Sequence, residues 1–419
     1  VVKAGALYYA LFISFFVTLL VGTLVLMQIM HVQSVRIQEV KNQLEANLRS
    51  GLELALYDTS LVPLNQEEIK YDLFGTTDSL DQIQIRQFQW GVYRVMVVRN
   101  HWKKYQQSIK AIIGSEINRT DSTVVFMADR ERFLSISGNT RIVGRAYLPR
   151  LGIRQAFADG MTYSGEKLVY GSVLNSTDNL PEPDQRIISD NSKYLDLSFS
   201  DSDSVIDKSN LSFGDTLRNS FNNHTLILFS QNPIILINNN ISGNIRIVSA
   251  SSIVVSGSTK LGNIVLYAPS IFFEKGFSGS IQAFARDTII ARESCRFLYP
   301  SSLSLLGQNN SGYCSIGKKS EFAGCIFLYQ ESETSIPSFL ELCDSTSFQG
   351  QIYCSGYVEP RGEIKGVVYC HGFSYNTGSA YYENYLINGH INRLTLSPYL
   401  AGAYLFGGYE HNKLVQWVN

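Results

Sequence analysis

From Ala4 to Met30 the chain runs 27 residues without a charged side chain, AGALYYALFISFFVTLLVGTLVLMQIM. As helix this stretch is ~40 Å long, enough to cross a hydrocarbon core of ~30 Å. No proline follows it. Instead HVQSVRIQEVKNQLEANLRSGLELAL places Ile37, Val40, Leu44, Leu48, Leu52 and Ala55 at three- and four-residue spacing, on one helical face. Residues 1–56 are therefore read as one long helix that begins in a membrane and ends outside it. A secretory signal would have an apolar run of ~7–15 residues closed by a small-residue cleavage site. This run is about twice that and passes straight into helix. Tyr8 and Tyr9 near one end, and Gln28 and His31 near the other, suit the two membrane interfaces.

Lys3 precedes the span, whereas Arg36, Lys41 and Arg49 follow it, which counts against an outward C-terminus. The basic residues are interleaved with Glu39, Glu45 and Glu53. So short a leader before so large a β-rich remainder favours a signal anchor with the bulk of the chain outside. The expected location is a bacterial inner membrane, crossed once, with that bulk periplasmic or surface-exposed.

The 419 residues carry a net charge of −1, so no basic excess exists to neutralise phosphates, and nucleic acid is excluded as a partner. Six cysteines, Cys295, Cys314, Cys325, Cys343, Cys354 and Cys370, show neither a C-x-x-C pair nor a histidine at zinc-ligand spacing. No structural metal and no cofactor is expected from them. Disulfides and free thiols stacked in a repetitive core remain equally open readings.

Pro63 follows the helix, and alternating segments then predict a small antiparallel β domain over 57–131 that covers the apolar face of residues 37–55. Trp90-Gly91 interrupts the longest run and marks a bulge or bend. Residues 132–180 are short apolar strands separated by Gly and Asn, and 181–225 is a polar insertion rich in Ser, Asp and Asn. Asp201, Asp203 and Asp207 within it lack the glycine and terminal glutamate of a calcium loop.

From 226 onward an apolar-x-Gly-x-Ile/Val unit recurs at Ile241–Ile245, Phe277–Ile281, Phe322–Ile326, Phe348–Ile352 and Ile364–Val368, with a shorter form at Leu261–Ile264. Successive glycines are 19, 17, 45, 26 and 16 residues apart, a unit of 16–19 residues with degenerate or interrupted turns. Short strands at that period predict a parallel β-helix, or β-solenoid, in which stacking buries what one turn cannot bury alone. The expected core is one interior column of Ile245, Ile264, Ile281, Ile326, Ile352 and Val368. Residues 132–180 are expected to form the first turns, 226–392 the main stack, and the aromatic tail 393–419 a cap over its end. The fold class is thus mainly β with one long N-terminal membrane helix.

The opening GALYYALFISFFVTLLVGTLVL resembles the N-terminal segment of type IV pilin-like proteins, especially minor pilins and secretion pseudopilins. The likeness covers about 55 residues and is mostly hydrophobic. It implies a helix that runs from a membrane into an extracytoplasmic β domain and packs there against other pilin-like subunits. Major pilins carry Glu at the fifth mature position where this chain has Gly5, which implies a tip, initiating or non-filamentous role. Close approach of helices would use Gly5, Ala6, Ala10, Ser14, Thr18 and Gly22. Residues 132–392 resemble bactofilin-type bacterial β-helices through the Gly-x-Ile/Val units.

No catalytic constellation stands out. Glu341 with Asp344, and Glu359 with Glu363, are the nearest acid pairs in the repeat region. Cys370-His371 are adjacent in a strand and so face opposite sides. The function expected is structural and non-enzymatic: a membrane-anchored pilin-like subunit of a bacterial envelope or surface assembly, presenting a β-helical domain for assembly or adhesion. The alternative is a membrane-tethered carbohydrate-active or glycan-binding β-helix, with a glycan as its partner.

Overall fold

The computed structural model describes residues 4–65, 68–76, 79–117, 121–199, 204–207, 214–307, 311–331, 336–407, 409 and 411–418. Asp201 and Asp203 lie outside them. The chain is mainly β, with one long apolar N-terminal helix, a closed parallel sheet and a small antiparallel sheet. It divides into two compact units: 1–54 with 68–85 and 98–109, and the remainder.

In the first unit, helix α1 (Ala4–Tyr57) is unbroken over 54 residues. Residues 5–36 are all exposed, whereas Leu44, Asn47, Leu48, Gly51 and Leu52 are buried. The apolar spacing explains this switch. The face from Leu44 to Leu52 lies on strand residues of the same unit, and a Cβ on Gly51 would collide with Ile83 Cδ1. Two amides pin the contact. Asn47 Nδ2 donates to the Leu80 carbonyl (3.0 Å) and Asp81 Oδ1 (3.2 Å), and Asn100 Nδ2 donates to the Leu44 carbonyl (2.7 Å). The helix stops at Tyr57, where Asp58 Oδ1 accepts from Ser60 N and begins a turn.

The antiparallel sheet has the order Ile69–Asp72, Gln82–Trp90, Tyr93–Trp102, Tyr105–Ser115, Asn412–Trp417. Gly91-Val92, directly after Trp90, is the hairpin turn between the second and third strands, with Gly91 at φ 63°. Within the tail 393–419, strand Asn412–Trp417 joins this sheet: Lys413 pairs with Gly114 and Trp417 with Ala111. The edge it meets is Tyr105–Ser115.

The parallel sheet is built from pairings that repeat in three rows. In one row Ile264 sits opposite Ile281, and two residues further along the same face Ile326, Ile352, Val368 and Val125 are in register with one another. A second row carries Leu261, Gly279, Phe297, Phe322, Phe348, Ile364, Ile391 and Ile142. In it the rings of Phe297, Phe322 and Phe348 stack at 5.2 and 5.4 Å between centroids. A third row pairs Ile253, Ile271, Ile289, Cys314, Leu340 and Val358. Each of these residues is buried, and together they form the largest core cluster apart from Gly279.

All six expected core residues are buried, but they form two columns, not one. Ile245, Ile264 and Ile281 share the first, since Arg246 pairs with Val265 and Ile264 with Ile281. Ile326, Ile352 and Val368 lie two residues further along, in line with Ala283 and Leu303. The slip is present before the bulge in strand Arg296–Gly307: Gly279 pairs with Phe297 and Phe297 with Phe322, so Gly279 stands level with Phe322 and not with Gly324. A shift of two keeps every side chain on its face, which is why all six remain inside. The first column continues as Ser301, Gly324, Gly350 and Gly366. Gly350 has φ 138°, and a Cβ there would strike the Gly324 carbonyl oxygen.

The order of the sheet departs from the order of the chain. Residues 123–127, expected in the antiparallel domain, pair in parallel with Val368–Cys370. Arg145–Leu148 and Val173–Asn175 pair beyond them. Segment 132–180 therefore follows residue 392 in the sheet and does not precede 226. The opposite end is made by Ser204–Asp207 and Thr216–Asn219, which pair with Leu226–Phe229 and Asn240–Gly243. The expected polar insertion 181–225 thus supplies terminal strands, plus helix α2 (Gln185–Leu195). Local pattern marks which residues pair in parallel, but pairing partners are chosen by matching edges far apart in sequence.

Candidate functional site

The helix-packing residues Gly5, Ala6, Ala10, Ser14, Thr18 and Gly22 are all exposed on α1. Ser14 Oγ donates to the Leu11 carbonyl and Thr18 Oγ1 to the Ser14 carbonyl, so these hydroxyls are satisfied within the helix. That leaves a small, smooth surface on the Ala10–Gly22 side. The helix is long and apolar enough to cross a bilayer, and its most apolar stretch is entirely unburied.

The acids separate from their expected pairings. Glu341 sits opposite Glu359 in neighbouring strands, not with Asp344. Glu341 Oε2 accepts from Tyr313 Oη (2.6 Å) and Ser315 Oγ (3.2 Å). Burial and that carboxylate push the Tyr313 phenol up to about 12. Glu359 is buried and accepts from Arg361 Nε (2.6 Å) and Asn376 N (3.1 Å). Asp344 pairs with Lys318 and Glu363 with Lys365. Both central carboxylates are thus used as acceptors that tie strands together. Cys354 and Cys370 are aligned in the core, all six cysteines are free thiols, and burial pushes the Cys314 thiol up to about 12. His371 lies 3.5 Å from Arg130 Nη2.

The most polar buried geometry lies within the second unit, where the hairpin tip meets the parallel sheet. Gln282 Oε1 accepts from Val92 N and Gln282 Nε2 donates to the Trp90 carbonyl, both at 2.8 Å. Gly91 is required there, because a Cβ would collide with the Gln282 amide. Helix α2 closes over the tip. Asn191 Nδ2 donates to the Gly91 and Ile187 carbonyls, and Tyr267 Oη donates to Asn191 Oδ1. Trp90 is fully buried, edge-on to Phe221.

Two clefts flank this contact, and both are lined by Asn65 and Asp190. The first, of about 400 Å³, is lined by Phe88, Gln89, Asn191, Lys193, Tyr194 and Arg246. Arg246 is 8% exposed, its guanidinium 4.2 Å from the Tyr194 ring centroid and 5.2 Å from that of Trp90. Its one hydrogen bond, to the Gln89 carbonyl, is long at 3.4 Å, and its Nε has no partner. Burial lowers its affinity for the proton, and Tyr267 and Asp190 oppose this. The buried Gln89 Oε1 also lacks a partner, while Gln89 Nε2 donates to the Gly91 and Tyr93 carbonyls. Asp190 is engaged by Lys193 Nζ (2.9 Å) and Asn65 Nδ2 (3.4 Å).

The second cleft, of about 700 Å³, is lined by Arg94, Asp184, Arg186, Tyr404 and Tyr409 among others. Arg94 lies 3.9 Å over the Tyr404 ring, and its Nε is unpartnered. Asp184 caps α2 by accepting from Arg186 N (3.0 Å) and receives Arg186 Nε and Nη2 at 3.1 and 2.9 Å. Burial alone would raise the Asp184 carboxyl, but these hydrogen bonds and the Arg186 charge outweigh it and hold it below the usual range.

None of these cleft residues is singled out by spacing. Arg246 stands in the apolar run IRIV, and its ring partners are more than fifty residues away in either case. Among the described residues no group of three or more His, Cys, Asp or Glu could hold a metal ion. Compared with known proteins, the chain matches no family model, no curated protein and no solved structure.

Proposed function

We propose that this chain is a structural protein anchored in a bacterial inner membrane by α1, with a three-sided β-solenoid held on the periplasmic or outer side. The observation that carries the reading is the change of character along one unbroken helix. Residues 5–36 expose Leu, Phe, Val and Ile side chains, and the next turns bury theirs on the chain's own strands. A bare apolar surface of that size requires lipid or other helices. The solenoid reading is supported by the three rows of parallel pairing and by their spacing of 17, 26 and 16 residues at Ile264–Ile281, Ile326–Ile352 and Ile352–Val368. Engagement of Glu341 and Glu359 within the fold favours a structural role over a carbohydrate-active one.

In this reading α1 packs with the helices of other pilin-like subunits through the Ala10, Ser14, Thr18 and Gly22 side. The test is crosslinking in native membranes followed by purification. Replacing Ser14 and Gly22 with Leu should reduce the recovered partners without changing the amount of chain in the membrane. Equal recovery of the same partners by the variant would count against assembly through this helix.

A further inference from the structure

Arg246 is a buried charge with few hydrogen bonds. Trp90 and Tyr194 cover its guanidinium, but ring faces satisfy none of its in-plane N–H groups. Those donors make one hydrogen bond, long at 3.4 Å, and Nε makes none. The nearest carboxylate that bears on it, Asp190, already neutralises Lys193. A buried guanidinium without an anion is costly, and a planar fork of donors suits a carboxylate or phosphate. Next to it in the same cleft, Gln89 presents a buried amide oxygen with no donor. The adjoining cleft repeats the pattern in part. Arg94 is stacked on Tyr404 with Nε unpartnered, while Asp184 and Arg186 neutralise each other. Arg94 is better served, its Nη1 donating to the Gln87 side-chain oxygen (3.2 Å) with the Asp184 charge nearby, and the two clefts share Asn65 and Asp190.

We propose that the cleft at Arg246 binds a small hydroxylated acid, its carboxylate or phosphate oxygens on the Arg246 guanidinium. At about 400 Å³ the cleft accommodates a ligand of monosaccharide size. Lys193, at the rim, supplies attraction without being buried. This inference is independent of the membrane-anchor reading: a soluble protein with the same clefts would carry it equally.

The test is isothermal titration of the full chain in detergent with glucuronate, glucose 1-phosphate, inorganic phosphate and glucose. The expected result is saturable binding of an acid, weakened by salt, with no binding of glucose. Glucuronate binding alone identifies a carboxylate ligand, and glucose 1-phosphate binding alone a phosphate ligand; either supports the site. R246M should weaken binding by about tenfold or more. Should R246M fail to fold, K193A keeps the question open to decision. Lys193 is exposed, so K193A should melt like the parent yet bind the acid several-fold more weakly. Binding of none of the acids below about 10 mM overturns the proposal. So does equal binding by parent, R246M and K193A, or equal binding of glucose.

Discussion

Ile352 has neighbours above and below it in register, Ile326 and Val368, and no exposed surface. An aspartate there would lose ~2 kcal/mol of apolar burial and place a carboxyl where no donor reaches it. I352D should therefore lower stability by more than ~3 kcal/mol, read as an early loss of β signal in urea. A midpoint unchanged from the parent would mean that these rows do not hold the fold together. Asp184 makes a different kind of residue-scale contribution. Its folded carboxyl titrates below the ordinary value, so its stabilisation is present above the unfolded carboxylate range and is lost as pH falls through the folded value. Asn can still cap a helix but cannot carry the charge. D184N should melt below the parent at neutral pH, and the gap should close as pH drops below about 4. A gap independent of pH would show that charge plays no part.

At the scale of elements, α1 was the most legible part of the sequence. Its buried positions Leu44, Leu48, Leu52 and Ala55 are those whose spacing placed them on one face. Periodicity is a local property, and a long helix expresses it directly. Leu48 tests that half of α1: L48A should cost ~2–4 kcal/mol in melts of the full chain and leave membrane association intact. A loss below ~0.5 kcal/mol would mean the contact is loose. The repeated strands were legible as strands with an inward face, yet the glycine units are offset by two residues, with Gly279 level with Phe322 and not with Gly324. A motif of two-residue period looks the same before and after such a slip. Helix α2 was illegible, because its amphipathic turns sit in a segment whose composition is that of a polar loop, with Ile187 and Asn191 its buried positions.

At the scale of the whole molecule, the order of strands was the least legible feature. Val125 lies beside Val368, and Ser204–Asp207 begin the opposite end of the same sheet. Such closures join residues hundreds of positions apart, and any strand with matched alternation can serve as partner. The clefts share this character. Arg246, Trp90 and Tyr194 come from three separate segments, and only the fold brings a lone arginine between two rings. The exposed half of α1 belongs to this scale too, since nothing within the described residues covers it. In the proposed arrangement, lipid covers that surface. The most direct measurement is alkaline carbonate extraction of native membranes with flotation, comparing the parent with a variant carrying Phe16→Asp and Leu20→Asp. Two acids at the centre of the span cost ~5 kcal/mol or more in a bilayer. The parent should stay with floated membranes while the variant is extracted. A parent extracted by carbonate, or a variant that floats equally well, would contradict this arrangement.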